Sequence, residues 1–231
     1  MYENNFSSSC TVAHHNDECF DYLTEDQKKL IEEKQRILRY KKGEIITKQG
    51  VFASHVLFLF EGLVKVYYES NQESLILKIL GPGNLIGLTS LLKNENIFQY
   101  TTSAYIDSTL RLIDINLFKQ FIETNGKFAS EIINILSENS NQINSRFFCM
   151  THRQSYGKLA DLLLCLAGRI FKTSVFKMNL TRKELAELAG MSTESVIRIL
   201  RKFQEDKLIT ITGKTFKIID PAGLQSICDH G

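Results

Sequence analysis

The strongest constraint on this 231-residue chain lies at residues 181–217, TRKELAELAGMSTESVIRILRKFQEDKLITITGKTFK. Thr181 followed by Glu184 is a capping box: hydroxyl and carboxylate each accept an otherwise unpaired backbone N–H at a helix start. Leu185, Leu188 and Ala189 then share one face, with small Ala186 where a second helix must approach. Gly190 supplies a left-handed helix terminator, and Ser192 is a good N-cap for the next helix. Val196, Ile199, Leu200 and Phe203 form an apolar stripe at helical spacing. The opposite face carries Thr193, Glu194, Ile197, Arg198 and Arg201, a set that burial does not explain. Leu208–Thr212 and Thr215–Ile218 alternate around Gly213-Lys214, which predicts a hairpin. Helix, turn, helix and hairpin make a winged helix-turn-helix, which lays its second helix in the DNA major groove. There Arg donates two hydrogen bonds to guanine and Glu accepts from cytosine N4. A merely solvated helix face is the alternative, and the coincidence of turn glycine, two caps and hairpin weighs against it. Lys214 at the hairpin tip fits a phosphate contact and a solubilising turn residue equally well.

The rest of the chain is consistent with such a role. Hydrophobic residues make up 43% of it, enough for one large or two modest cores. No apolar run is long enough to span a bilayer, and MYENNFSSSC lacks the basic and apolar regions of a secretory signal. Together these point to a cytoplasmic, membrane-free protein. Five irregularly spaced cysteines suggest reduced thiols rather than a disulfide frame. The net charge is only +2, but residues 151–231 hold 13 Lys and Arg against 8 Asp and Glu. Positive charge is thus concentrated where phosphate contact requires it.

From about 37 to 115, short apolar or alternating runs are broken by turn signals. Examples are ILRYKKGEIITKQG, HVLFLFEGLVKVYYES, SLILKILGPGNLIG and TTSAYIDSTLRLIDI. Glycines at 43, 50, 62, 81, 83 and 87 punctuate them, the signature of a β-sandwich or barrel. Asn71 suggests a hairpin turn. A short helical piece spans Asn116 to Phe121. From about Phe128 to Met150 neither Gly nor Pro occurs. Ile132, Leu136, Asn139, Ile143, Phe147 and Met150 recur there in a heptad-like stripe, which suggests a two-stranded coiled-coil dimer with Asn139 fixing register. The alternative is that the stripe packs on its own sandwich. A dimer would present two recognition helices to two half-sites. The fold class is therefore α+β: a jelly-roll-like β-domain, a long dimerisation helix and a winged helix-turn-helix. The expected divisions are an N-terminal arm at 1–20, an effector domain at 21–124, the dimer helix at 125–152 and the DNA-binding domain at 153–231.

This order of parts, with KKGEIITKQG, FLFEGLVKVY, GPGNLIGLTSLL and the 180–215 motif, resembles the cyclic-AMP receptor protein / fumarate-nitrate regulator (Crp/Fnr) family of transcription factors over roughly residues 20–220. The resemblance implies a homodimeric activator or repressor with a cyclic-nucleotide-binding-like jelly roll. There a small-molecule effector shifts the dimer helix and the DNA domains. It implies palindromic double-stranded DNA with TGA-like half-sites as the target, and RNA polymerase as a partner. Surface segments such as Ser70–Glu73 and Arg169–Lys177 are analogous places for polymerase contact. By position, Glu194 and Arg198 match the family's base-reading pair. Thr193 stands where the cyclic-AMP branch has Arg, so one guanine contact should be missing. Ile197 occupies the neighbouring variable position and suits a thymine methyl. Arg182, Ser192 and Ser195 match backbone-contact positions, to which Arg201 and Lys214 are added by charge.

The effector pocket departs from the cyclic-nucleotide pattern. Where that branch has Gly-Glu-Leu, this chain has Gly87-Leu88-Thr89, and near its phosphate position stand Tyr100-Thr101 with no Arg. A cyclic phosphate would lack its charge-assisted partner, so cyclic AMP is not expected as effector. Cys10 and Cys19, with His14 and His15 between them, do not match the iron–sulfur pattern of the redox branch. Their residue types would suit zinc, but a polar arm without metal is the expectation. His55 is a weaker candidate for haem. Cys149 is either a thiol sensor or, preferably, an inert buried cysteine. The effector is left unidentified, with a redox-, haem- or metal-responsive sensor of the same fold as the alternative. A phosphate-binding glycine loop, a nucleophile elbow, a zinc-protease motif and a placeable carboxylate pair are all missing, which argues against an enzyme. The complete winged helix argues against a nucleotide-binding module that does not bind DNA.

Overall fold

In the computed structural model, the structure describes residues 17–70, 73–92 and 96–230. Within them the chain forms two compact units, divided between Asn141 and Gln142. The division falls inside the long helix, Gly126–His152, because a helix can donate one stretch to each of two cores.

The first unit opens with a helical turn, Asp17–Tyr22, and helix α1, Glu25–Lys34. Thr24 and Gln27 form a capping box that starts α1. Cys19 is fully buried and Phe20 packs edge-on to Phe58 at 5.2 Å, so Cys19 and Phe20 belong to the core rather than to an arm. Eight strands follow: β1 Arg36–Tyr40, β2 Ile45–Thr47, β3 His55–Glu61, β4 Val64–Ser70, β5 Glu73–Leu80, β6 Leu85–Ile86, β7 Thr101–Ala104 and β8 Ser108–Asp114. They form two antiparallel four-stranded sheets, β1-β8-β3-β6 and β2-β7-β4-β5, the jelly roll that the turn spacing predicts. Asn71 lies outside the described residues. Between the sheets sit Leu57, Leu59, Val64, Val66, Leu80, Ile86 and Leu110, with Tyr40, Phe98 and Tyr100 packed against them.

A second core joins one sheet to the helices. Val56, Phe58, Leu85 and Ile113 pack with Phe118 and Phe121 of α2 (Ile115–Thr124) and with Phe128, Ile132 and Ile135 of α3 (Gly126–His152). Asp114 caps α2 by accepting the N–H groups of Asn116 and Leu117 at 2.9 and 3.0 Å.

The second unit contains the last part of α3 and helix α4, Ser155–Cys165, which runs on as a π-helical turn, Leu166–Phe171. Strand β9 (Val175–Lys177), helices α5 (Arg182–Ala189) and α6 (Thr193–Glu205), strands β10 (Ile209–Thr212) and β11 (Thr215–Ile218) and helix α7 (Pro221–His230) complete it. The hairpin β10–β11 gains a third strand, β9, antiparallel to β11. Neither β9 nor α7 was evident from the sequence, since three residues carry too little periodicity and α7 has only two buried residues, Leu224 and Cys228. Cys19, Cys149 and Cys228 are buried free thiols.

Gly62, between β3 and β4, has φ +109, and a Cβ there would lie 2.6 Å from the backbone Cα of Ser108. Gly62→Ala should therefore destabilise the protein by roughly 3 kcal/mol, seen as a lower urea midpoint. A midpoint within error of the wild type would contradict this packing.

Candidate nucleic-acid interface and effector pocket

The helix-turn-helix is built on the caps that its sequence contains. Thr181 Oγ1 accepts from the Glu184 N–H at 3.1 Å, and Glu184 Oε2 accepts from the Thr181 N–H at 2.6 Å. Gly190 closes α5 at φ +62 and ψ +46, a left-handed conformation that a Cβ would strain. Ser192 Oγ accepts from the Ser195 N–H at 3.2 Å and starts α6. Val196, Ile199, Leu200 and Phe203 are all buried. The burial leaves Glu194, Ile197, Arg198 and Arg201 on the exposed side, with Thr193 and Ser195 half-buried at the helix start. Ile197 is 53% exposed, a cost in water that a thymine methyl would relieve.

The exposed face is electrostatically ready for contact. Hydrogen bonds from its own backbone N–H and from Ser192 hold the Glu194 carboxyl below the usual range, so it is a ready acceptor. Arg201 pairs only loosely with Glu205, at 3.8 Å, and both are solvent-exposed. Lys214 is exposed at the hairpin tip. Arg182 differs from the expectation of a free backbone contact: its guanidinium lies 5.0 Å from the Phe216 ring centroid and is half-buried. It therefore packs α5 onto the wing. Phe216 in turn stacks with Phe176, and Phe176 with Phe171, at centroid distances of 6.1 and 4.5 Å. The Arg169–Lys177 segment is ordered as a π-helical turn and β9, with Lys172, Thr173, Val175 and Lys177 exposed.

Sequence reasoning missed two arginines that position this unit. Arg146, on the buried face of α3, donates from Nη2 to the Leu188 carbonyl at 3.0 Å, near the negative end of α5. Arg153 directly follows α3, and its Nη1 lies 3.0 Å from Asp161 Oδ1 on α4 and 2.6 Å from Cys228 Sγ on α7. The Cys228 thiol donates to Asp161 Oδ1 at 3.6 Å, and burial beside that carboxylate pushes its pKa up to about 12. Cys149 is likewise raised by burial, which makes both thiols poor nucleophiles. The available signal was an Asp inside the otherwise apolar LADLLLCLA run of α4, where a carboxylate needs a cation.

The stripe expected to pair two copies is only partly on a free face. Ile132 is 3% exposed within its own core, and Asn139 Oδ1 accepts from Lys78 Nζ at 2.5 Å. Both serve this unit because α3 lies against the sandwich, so they are corrected out of the dimer stripe. Leu136, Ile143, Phe147 and Met150 remain at least partly accessible, and Ile133 at 62% and Phe147 at 68% are the most exposed apolar side chains of α3. The free heptad stripe therefore runs through Ile133, Leu136, Ile143 and Phe147.

The pocket residues also sort by face. Gly87 adopts a left-handed turn, Thr89 is half-buried, and Leu88 points into the helical core rather than between the sheets. Tyr100 packs against the sandwich interior. Thr101 is buried and spent on a polar knot: its hydroxyl donates to Glu69 Oε2 at 2.9 Å and accepts from the Gln49 N–H at 3.1 Å, while Lys48 pairs with Glu69. Leu88 and Thr101 thus leave the candidate pocket. Cys10, His14 and His15 lie outside the described residues. Cys19 sits in the helical core, and His55 Nδ1 hydrogen-bonds Ser54 Oγ at 2.8 Å. Among the described residues no cluster of three His, Cys, Asp or Glu could hold a metal. None of their helices is long and apolar enough to cross a membrane.

Comparison with known proteins matches both units. The family described as cyclic nucleotide-binding domain covers residues 37–125, and the Crp-like helix-turn-helix domain covers residues 157–227. The HTH-type transcriptional regulator Cmr of Mycobacterium tuberculosis is 24% identical over 206 residues, 88% of this chain and 81% of that protein. The cAMP-activated global transcriptional regulator CRP of Salmonella typhimurium is 25% identical over 191 residues, 79% and 89% of the two chains. Among solved structures, FixK2 from Bradyrhizobium japonicum shares the fold with a TM-score of 0.77 at 16% identity, covering 84% of this chain and 96% of that one.

Replacing Asp161 by Ala would leave Arg153 charged and unpaired in a largely buried setting. It should cost about 3–5 kcal/mol, whereas Arg201→Ala, whose ion pair is open to solvent, should change stability by less than about 1 kcal/mol. Equal effects of the two in chemical denaturation would contradict the structural role given to Asp161.

Proposed function

The chain belongs to the Crp/Fnr family of transcriptional regulators, and from that premise we propose how its own residues carry out the task. Two copies pair through the free stripe of α3, and each lays α6 in the major groove of one half of a palindromic site. Glu194 and Arg198 read a G·C step of a TGA-like half-site, Ile197 meets a thymine methyl, and Thr193 leaves one guanine unread. Ser192, Ser195, Arg201 and Lys214 meet the sugar-phosphate backbone and set register. Arg182 holds the wing that carries Lys214. The reading rests on one observation: α6 buries Val196, Ile199, Leu200 and Phe203 completely while leaving Glu194, Ile197 and Arg198 to solvent.

The protein acts by binding rather than by catalysis, in the cytoplasm, with RNA polymerase as its downstream partner. Its effector enters the jelly-roll unit and is not cyclic AMP, because Gly87-Leu88-Thr89 has Leu in place of the nucleotide-holding Glu and no Arg stands near the phosphate position at Tyr100-Thr101.

Fluorescence anisotropy on palindromic TGA-containing duplexes tests the assignment. Glu194→Ala and Arg198→Ala should each weaken specific binding roughly 5- to 150-fold and relax preference at the contacted base. Lys214→Ala should weaken all sequences alike and reduce the salt slope by about one. Sequence preference that survives both α6 substitutions would overturn the base-reading roles.

A further inference from the structure

The inner face of the β2-β7-β4-β5 sheet can be followed from its register. Thr47 lies opposite Thr102, Thr102 opposite Val66, and Val66 opposite Lys78. Cross-strand partners share a face, and Val66, with Leu80 two residues beyond Lys78, belongs to the core between the sheets. Lys78 therefore projects inward, and its amine reaches Asn139 of α3. The other lysines near this sheet are differently placed. Lys48 is ion-paired with Glu69, and Lys65 lies over the rings of Tyr67 and Tyr105.

Among the described residues no carboxylate lies within ion-pair distance of Lys78, and its one hydrogen-bond partner is a neutral amide. A desolvated ammonium without a counter-charge is costly, and burial lowers the Lys78 pKa to about 8. The same interior is packed with aliphatic and aromatic side chains: Val64, Val66, Leu80, Ile86, Phe98 and Tyr100. Near Tyr100-Thr101, where a cyclic-nucleotide pocket would hold a phosphate, this chain has no Arg, while Lys78 stands on β5 of the same sheet, two strands from β7.

We infer that Lys78 is the anion anchor of the effector pocket, and that the effector is a small organic anion with an apolar body. Its carboxylate or phosphate group meets the Lys78 amine in place of Asn139, and its apolar part lies among the sandwich side chains. Release of Asn139 is how occupancy is felt by α3. The inference rests on reading the jelly-roll unit as the effector-binding one and deepens it by naming the ligand's chemistry.

The test uses the full chain with hexanoate, phenylacetate and hexyl phosphate as probes, and with hexanamide and phenylacetamide as neutral counterparts. Calorimetry should show at least one carboxylate binding roughly tenfold or more tighter than its amide, or hexyl phosphate binding roughly tenfold or more tighter than hexanamide. A phosphate-only response would identify the headgroup. Lys78→Met should erase the anion preference and raise the melting temperature, because it removes a half-buried charge that has no carboxylate partner, and Lys78→Arg should retain the preference. If Lys78 only ties β5 to α3, Lys78→Met would instead lower the melting temperature and leave ligand preference untouched. Equal affinity of wild type for anions and amides, or anion preference persisting in Lys78→Met, would overturn the inference. A chain that binds these anions through Lys78 yet binds no TGA-containing duplex would refute the DNA-regulator reading and leave this one standing.

Discussion

The division of α6 into two faces is the constraint on which the DNA-binding unit depends. Four apolar side chains at helical spacing are removed from water, and their burial against α4, α5 and β10 sets the rotation of the helix about its axis. Once that rotation is set, Glu194, Ile197 and Arg198 have nowhere to go but outward. The left-handed turn at Gly190 and the Ser192 cap then fix where α6 begins, and hence how far its first turn extends beyond the unit. The proposed base reading requires no special strain, because α6 is an amphipathic helix whose polar side faces solvent.

Helix α3 does two jobs with two faces. One face contributes Phe128, Ile132 and Ile135 to the core of the first unit and Arg146 to the second. Of the remaining apolar positions, Ile133, Leu136 and Phe147 are exposed and Ile143 is half-buried, which is the basis for proposing that they meet a second copy. Between these roles sits Asn139, an amide held by an inward-facing lysine. Polar groups in an apolar setting are where a small ligand has most leverage, because a charge-assisted contact there is little weakened by water. The pair Lys78–Asn139 is the point of the first unit where such leverage would reach α3.

Much of this was legible from residue order, and the reasons are local. Capping boxes, a turn glycine and an alternating hairpin are short-range devices, so Thr181, Glu184, Gly190, Ser192 and residues 209–218 could be placed without knowing what surrounds them. The sandwich was legible from turn spacing for the same reason. The heptad reading of α3 was less secure. A seven-residue period shows that a helix has an apolar stripe, not what covers it, and Ile132 and Asn139 proved to face their own unit. Leu88 and Thr101 were misplaced because one residue of strand or turn geometry decides which side of a sheet a side chain enters. Lys78 was visible as a lysine interrupting SLILKIL, but exposure and burial give the same sequence pattern at an isolated position.

The order of amino acids determined the class of protein and the residues proposed as base readers, since helical periodicity and caps act within a single stretch of about forty residues. The tertiary structure alone decided which polar groups are spent and which are free. It brought Arg153 to Asp161 and Cys228 across α3, α4 and α7, committed Thr101 to Glu69, laid Arg182 on Phe216, and left Lys78 facing inward without a carboxylate. Each of these pairings joins residues far apart in the chain, and burial makes an unpaired charge expensive only after the fold has excluded water.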